Sequence, residues 1–180
     1  MPTKSRRFRL GMRRSAHAAT TVRAECEQLL AELNLPARYE LGNLRAQIEK
    51  RRGRPLRILS KPAEAVNGPC GFWISTDAED IVFVEPATSP LHYQHILLHE
   101  LGHLLFDHGA VAEPGNEMVA RLLPDLDPAA VRMVLARSEY DDRQEQEAEM
   151  FATLLSAGSV WSSQFDSDDP ESFWRALATS

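Results

Sequence analysis

The spacing of hydrophobic residues predicts two helices near the start of the chain. Residues 15–33 repeat apolar side chains at helical spacing, and Pro36 bounds the segment; the repeating positions are Val22, Cys26, Leu29, Leu30 and Leu33. Residues 43–52 predict a second helix, because Asn43 suits an N-cap and Gly53 a helix stop. Two consecutive helices are therefore expected before any strand.

A different pattern follows, in which short apolar runs are separated by turn residues. Residues 54–59 alternate basic and apolar side chains, and residues 71–75 and 80–84 are short runs that follow the turn residues 66–69. These runs predict a small antiparallel β-meander packed against the next helix. The run 80–84 either lines a cleft and pairs with an extended peptide or is an ordinary buried strand.

The rest of the chain returns to helical patterns. A strongly apolar helix is predicted from Pro90 to about residue 107. Asp127 followed by Pro128 suits the start of a helix through about residue 137, which we expect to cover a cleft. A last helix is predicted for residues 170–178. The combined pattern indicates an α+β fold that is mostly helical.

Composition limits the class of protein. The chain has 180 residues, of which 43% are hydrophobic, so we expect one domain over 15–180 after a basic, disordered tail at 1–14. No apolar run approaches the roughly 18 residues that a membrane span requires, and no secretory signal is expected. With only Cys26 and Cys70, a disulfide framework is excluded and a reduced, cytoplasmic setting is predicted.

Charge is distributed unevenly along the chain. Residues 1–76 carry 15 basic and 6 acidic side chains, a net charge of +9, whereas residues 77–180 carry 5 basic and 20 acidic ones, a net of −15. The basic tail favours a solvated segment, while a nucleic-acid arm and docking on the acidic half are the alternatives. Since no nucleic-acid-binding module is recognisable, direct nucleic-acid binding is not expected.

The sequence His99-Glu100-Leu101-Gly102-His103 is the main candidate for chemistry. Two imidazoles four residues apart project from one face of a helix, where both can bind one zinc ion. Glu100 falls at the edge of that face, so it can act as general base on water at an open coordination position. The alternative is a helix whose histidines are satisfied locally. The apolar flanks argue against it, because charged and imidazole groups are rarely buried without partners.

A third ligand is expected in the segment 144–155, a helix that begins near Asp141 or Asp142. Glu145 and Glu149 stack on one face of this helix, beside its apolar stripe. Glu145 is predicted to complete a two-histidine, one-carboxylate site, and Glu149 to accept the other N–H of a zinc-bound imidazole. A solvated acidic face is the alternative, and for Glu147 it is the preferred interpretation.

Other residues near the motif receive simpler interpretations. His92, His95 and His108 are predicted to be structural or surface histidines. Gly102 lowers the stability of its helix by about 1 kcal/mol relative to alanine. We therefore expect it to admit either a substrate or a neighbouring backbone close to the metal.

The two motifs together resemble the ImmA/IrrE family of zinc metallopeptidases. The resemblance rests on His99–His103 and on Glu145-x-x-Ala148-Glu149-x-Phe151-Ala152, within a region of about residues 70–156. It implies a gluzincin-like, zincin-type fold with one zinc ion on His99, His103 and Glu145. It also implies cleavage of a specific protein, commonly a DNA-binding repressor encoded nearby.

The chain departs from the family pattern at three places. Glu149 stands where the family has Asp or Asn, Ser156-Ala157 replaces Met-Pro, and 41 residues separate His103 from Glu145. The resulting hypothesis is a cytoplasmic, zinc-dependent endopeptidase that hydrolyses a regulator, with Glu100 as its catalytic base. The alternatives are a protein-binding regulatory module with a structural zinc and no proteolysis, and a nucleic-acid-binding regulator.

Overall fold

The structure is a computed structural model that describes residues 21–61, 70–108, 110–111, 131–135 and 142–158. These residues form an α+β fold, as predicted. The helices are α1 (21–33), α2 (Leu41–Arg52), α3 (Pro90–Leu105) and α4 (Asp142–Gly158). The strands are β1 (Leu56–Ser60), β2 (Gly71–Thr76), β3 (Asp80–Val84), β4 (Ala110–Val111) and β5 (Val131–Leu135). The expected tail at 1–14 and the last helix at 170–178 lie outside the described residues.

Helix α2 begins two residues earlier than predicted, because its cap is not Asn43. Glu40 is the N-cap, and its backbone N–H donates to Asn43 Oδ1 at 3.1 Å, while the Glu40 side chain accepts from the backbone N–H of Asn43. This reciprocal pair is a capping box, so Asn43 stabilises the first turn from inside it. Gly53 ends the helix in the left-handed region, with φ of 70°, as predicted.

The sheet is mixed, so the predicted antiparallel meander is only partly correct. Its strand order is β1-β3-β2-β5-β4, and β1 runs parallel to β3 while the other neighbours are antiparallel. Strand β3 pairs with β1 on one side and with β2 on the other, so both of its edges are occupied. The pairing of β3 with a substrate peptide is therefore wrong, and its alternative, a buried sheet strand, is correct.

The helix predicted for residues 127–137 does not form over its described part. Val131–Leu135 is instead strand β5, which pairs antiparallel with β2 and β4. Two of its five residues are β-branched valines, which favour extended backbone, and the open edge of β2 supplies hydrogen-bond partners. Residues 127–130 and 136–137 lie outside the described part of the chain.

Helix α3 packs against both the sheet and α4, and Gly102 sets its distance from α4. A Cβ atom on Gly102 would lie 3.0 Å from Ala148 Cα and 3.3 Å from a Phe151 ring carbon. The missing side chain thus admits the backbone of α4, which is one of the two roles expected for this glycine. Among the described helices, none combines the length and apolarity that crossing a bilayer requires.

A second buried contact ties α2 to the C-terminal end of α3. The Arg52 side chain is only 10% exposed, and its Nε atom donates to Asp80 Oδ2 at 2.7 Å. Arg52 also donates to the Leu104 carbonyl at 3.0 Å and to Asp107, and Asp80 accepts a hydrogen bond from the Ser75 hydroxyl. We call Arg52, Asp80, Ser75 and Asp107 the arginine cluster.

Candidate metal centre

The two histidines of the motif lie in the second half of α3, and local sequence explains where this helix begins. Ser89 is the N-cap, and its hydroxyl accepts from the His92 N–H at 3.3 Å, while Pro90 occupies the first helical position. His99 and His103 follow one turn apart, as the four-residue spacing predicts. His103 is fully buried and the His99 side chain is 13% exposed.

Glu145 of α4 completes a group of three potential metal ligands with these histidines. His99 Nε2 lies 3.0 Å from His103 Nε2. Glu145 Oε2 is 3.7 Å from His99 Nε2, and Glu145 Oε1 is 3.7 Å from His103 Nε2. Among the described residues, His99, His103 and Glu145 are the one such group with ligand atoms all within 4.8 Å of one another. We call them the metal-donor cluster.

The separations fit a tetrahedral ion. Zinc binds imidazole nitrogen and carboxylate oxygen at about 2.0–2.1 Å, so two of its tetrahedral ligand atoms lie about 3.3 Å apart. The observed separations of 3.0 Å and 3.7 Å fall on either side of that value. Two nitrogen donors with one carboxylate also form a set that zinc prefers, and three protein ligands leave one position for water. The residues present therefore fit a zinc ion.

Glu100 lines the same cavity as His99 and Glu145. This cavity measures about 560 Å³, and its apolar lining includes Val22, Ile96 and Met150. Glu100 is 6% exposed and packs against the beginning of β2. A Cβ on Gly71 would lie 2.6 Å from Glu100 Cγ and 2.8 Å from its Oε1, so only glycine leaves room for the carboxylate there.

Glu149 lies next to His99, on the side of the ring away from His103. Its Oε2 atom is 3.6 Å from His99 Nδ1 and 3.1 Å from His95 Nε2. Glu149 thus lies beside a proposed ligand imidazole, as predicted, although its shorter contact is to His95. His95 itself lines the cavity, and its side chain is 41% exposed. The role of Glu149 as acceptor for the other N–H of a zinc-bound imidazole stays a prediction.

The other imidazole, His103, contacts His108, which in turn contacts Glu147. His103 Nδ1 lies 3.0 Å from His108 Nδ1, and His108 Nε2 lies 2.8 Å from Glu147 Oε2. Glu147 is buried, with an exposure of 6%, so its interpretation as part of a solvated face is wrong. His108 is also buried, as a structural histidine would be. Arg143 Nε pairs with the second oxygen, Glu147 Oε1, at 2.7 Å.

Both missed contacts leave a signal in the sequence. Glu147 precedes Phe151 by four residues and Leu155 by eight, so it belongs to the buried row of α4. His108 follows His103 by five residues, at a helix end where the chain turns back. An acidic residue at a buried position of one helix, together with a histidine just past the end of another helix, therefore indicates a candidate hydrogen-bonding pair.

The two cysteines lie near the site without joining the metal-donor cluster. The buried Cys26 thiol donates to the Glu147 carbonyl at 3.4 Å. Burial, followed by the nearby charge of Glu147, raises the pKa of Cys26 to about 12. Cys70 is half-buried and lines the cavity next to Gly71.

The structure thus brings His99, His103 and Glu145 together, with Glu100 in the same cavity and Glu149 beside His99. Comparison of the chain with protein-family models, with curated proteins and with solved structures finds no significant match. Residue chemistry and geometry therefore carry the functional argument.

Proposed function

We propose that this protein is a zinc-dependent endopeptidase of zincin type. The observation that carries the proposal is the convergence of two imidazole Nε2 atoms and a carboxylate at a cavity that His99, Glu145 and Glu100 line. Three ligands in an accessible cavity are typical of catalytic zinc sites, whereas structural sites are closed by four.

The chemistry follows from the residues around the cavity. A zinc ion held by His99, His103 and Glu145 would supply Lewis acidity, which would favour ionisation of a water and polarise a carbonyl group. Glu100 accepts a proton from the attacking water and delivers it to the leaving amine. Its tight packing against Gly71 restricts the carboxylate to few conformations, which supports a fixed orientation for proton transfer.

We further propose that the substrate is a protein and that the chain is a member of the ImmA/IrrE family. The order of residues within each of the two motifs supports this membership, as does the α3–α4 contact through Gly102, because it brings the first motif to Glu145. The substrate is then a DNA-binding repressor or another regulator encoded nearby, cleaved in the cytoplasm. No nucleic-acid contact by this chain is part of the proposal.

The experiment is a cleavage assay on the products of adjacent genes, with zinc content measured on the same protein samples. We expect about one zinc ion per chain and cleavage that a chelator abolishes and zinc restores. Glu100→Ala should retain zinc and lose cleavage, whereas His99→Ala should lose both. Glu27→Ala, which removes an exposed carboxylate paired with Arg23, is the matched control and should keep both.

The outcomes separate the competing functions. A chain that binds no zinc excludes both metal-based functions, and full proteolysis by Glu100→Ala contradicts the role of that carboxylate. Zinc bound with no cleavage of any partner, together with stable capture of one of them, would instead identify a regulatory binding module. Loss of partner capture on zinc removal would then mark the zinc as structural.

A further inference from the structure

The contact between His103 and His108 arises from the way α3 ends. Asp107 adopts a left-handed conformation, with φ of 53°, and its N–H donates to the Leu104 carbonyl at 3.4 Å. The His108 N–H donates to the His103 carbonyl at 2.9 Å. These two bonds form a Schellman motif, which commonly brings together the side chains at the positions that His103 and His108 occupy.

The packing around His108 leaves this imidazole little freedom. Its ring stacks on Phe106, with centroids 5.4 Å apart and an angle of 12° between the planes. Its two nitrogens meet His103 Nδ1 and Glu147 Oε2 at 3.0 Å and 2.8 Å. Glu147 is held in turn by Arg143, which also pairs with Glu25 of α1 at 2.6 Å.

Hydrogen-bond chemistry allows one arrangement of protons that suits a metal ligand. If His103 Nε2 presents its lone pair to a metal, a neutral ring carries its proton on Nδ1. That N–H can donate to His108 Nδ1 only when His108 carries its own proton on Nε2. The Nε2–H then donates to the Glu147 carboxylate, which is an acceptor only. The hydrogen bond between His103 and His108 and the one between His108 and Glu147 then each have one donor and one acceptor.

We propose that His108 and Glu147 are positioning residues that orient the His103 imidazole, with its Nε2 lone pair directed at the metal site. The proposal deepens the proposed function and rests on the metal site described there. Neither residue belongs to the metal-donor cluster: His108 contacts the His103 ring, and Glu147 acts on that ring through His108. The inward-facing His103 thus has a buried imidazole–carboxylate pair behind it, whereas the outward-facing His99 has Glu149, whose side chain is 56% exposed.

The test measures zinc affinity by competition with a chromophoric chelator, which needs no substrate. His108→Phe keeps a ring against Phe106 but removes both nitrogens, and Glu147→Met keeps the chain length but removes the acceptor. Both variants should raise the zinc Kd about 10- to 100-fold, the usual effect of losing an outer hydrogen-bond partner of a ligand histidine. Glu147→Gln retains an acceptor oxygen and should lose less than about tenfold.

His92→Phe is the matched control, because His92 is on the same helix and lines the cavity but bonds with Thr88 rather than with a ligand. It should leave the zinc Kd unchanged. A second readout is the proton position on His103 in the zinc-free protein, observed by nitrogen-15 NMR at a pH where the ring is neutral. We expect the proton on Nδ1 in the wild type and a shift toward Nε2 in His108→Phe.

Two results would overturn the proposal. One is a zinc Kd within about twofold of wild type in both His108→Phe and Glu147→Met, or an equal loss in His92→Phe. The other is a wild-type His103 that carries its proton on Nε2. If His108→Phe fails to fold, the zinc Kd of Glu147→Met and the wild-type NMR measurement still test the orienting role. If the wild type binds no zinc, the proposed function fails, while the proton position on His103 still decides the orienting role.

Discussion

Helix α3 contributes to two polar clusters that differ in how their charges are balanced. In the arginine cluster, the Arg52 guanidinium lies between two carboxylates and a backbone carbonyl, so donors meet acceptors. In the metal-donor cluster, two imidazole nitrogens and the Glu145 carboxylate face one another across 3.0–3.7 Å. Neutral imidazoles directed in this way and a carboxylate are acceptors, which suits a shared cation.

The difference shows what each cluster does for the molecule. A buried ion pair whose geometry is complete holds elements together, and removing one partner leaves a charge that burial makes costly. Acceptors that converge contribute little to the fold until a cation joins them, so they indicate binding. Stability should therefore respond to changes in the arginine cluster, and zinc affinity to changes in the metal-donor cluster.

The largest expected effect on stability is that of Arg52→Ala. It removes the nearer guanidinium of Asp80, which is 1% exposed, and leaves Arg54 Nε, 3.8 Å away, as its guanidinium partner, so it should lower the free energy of unfolding by about 3 kcal/mol. Urea denaturation of the zinc-free protein, followed by circular dichroism, measures this loss. The zinc Kd of the folded fraction should stay at the wild-type value.

Arg57→Ala is the control for this substitution. Its side chain is 49% exposed and pairs with Glu79 at 3.0 Å, so about 0–1 kcal/mol is expected. Equal losses for the two variants would mean that Arg52 acts like a surface residue. A large fall in zinc affinity in Arg52→Ala would mean that the two clusters are not independent.

Gly71→Ala should affect catalysis more than binding, if the proposed function holds. The new Cβ would lie within 2.8 Å of Glu100 Oε1 and of Ile96 Cγ2, so the carboxylate must move. Because a displacement of about 1 Å can lower a rate about 100-fold, we expect a fall of that size in kcat/KM. Zinc content should be unchanged. Wild-type cleavage by Gly71→Ala would show that the orientation of Glu100 at β2 is unimportant.

Gly102→Ala should have a smaller effect, which includes both the stability of the protein and its affinity for zinc. Its Cβ meets Ala148 Cα at 3.0 Å and forces α3 away from α4, which moves the histidines from Glu145. Overpacking costs about 1–3 kcal/mol, and the better helix propensity of alanine offsets about 1 kcal/mol of that. We expect a modest loss of stability and a weaker zinc Kd, measured by urea denaturation and chelator competition.

Gly42→Ala is the matched control for both glycine substitutions. Gly42 lies in α2, and a Cβ there meets nothing within 4 Å. The change should leave zinc affinity and cleavage as they are and raise stability by up to about 1 kcal/mol. If Gly102→Ala behaves like this control, the close approach of α3 and α4 is not needed to hold the histidines near Glu145.

The smallest effect expected is a difference in the reactivity of the two cysteines. The pKa of Cys26 is raised to about 12, so its thiol stays protonated below that pH and is a poor nucleophile at pH 8. Iodoacetamide at pH 8 should therefore modify Cys70 and spare Cys26, as mass spectrometry of the folded protein can measure. Rapid modification of Cys26 would reveal that the packing between α1 and Glu147 opens readily.

Features that depend on neighbours along the chain were predictable. The four-residue spacing of His99 and His103 puts them on one face of a helix wherever that helix packs. The bounds of β3 and the first residue of α3 were predicted at Asp80 and Pro90, since turn and capping residues act locally. Helical periodicity also puts Glu145 beside the apolar stripe of its helix, but it puts Glu149 on the same face, so the choice of Glu145 as third ligand depended on the chemistry of a two-histidine site.

Features that depend on distant partners were not predictable in the same way. Val131–Leu135 carries a helical pattern, yet it is a strand because β2 offers an edge to pair with. The burial of Glu147 required a histidine from beyond the end of α3, and the need for glycine at position 71 required the Glu100 side chain.

Local periodicity thus specified which residues share a helix face and which of them can bind a metal. Only the tertiary structure decided the strand order, the distance between α3 and α4, and the residues behind His103. The physical reason is that hydrogen-bonding partners in a sheet and polar partners in a core come from segments far apart in sequence. Their choice depends on how the whole core packs, which no local pattern records.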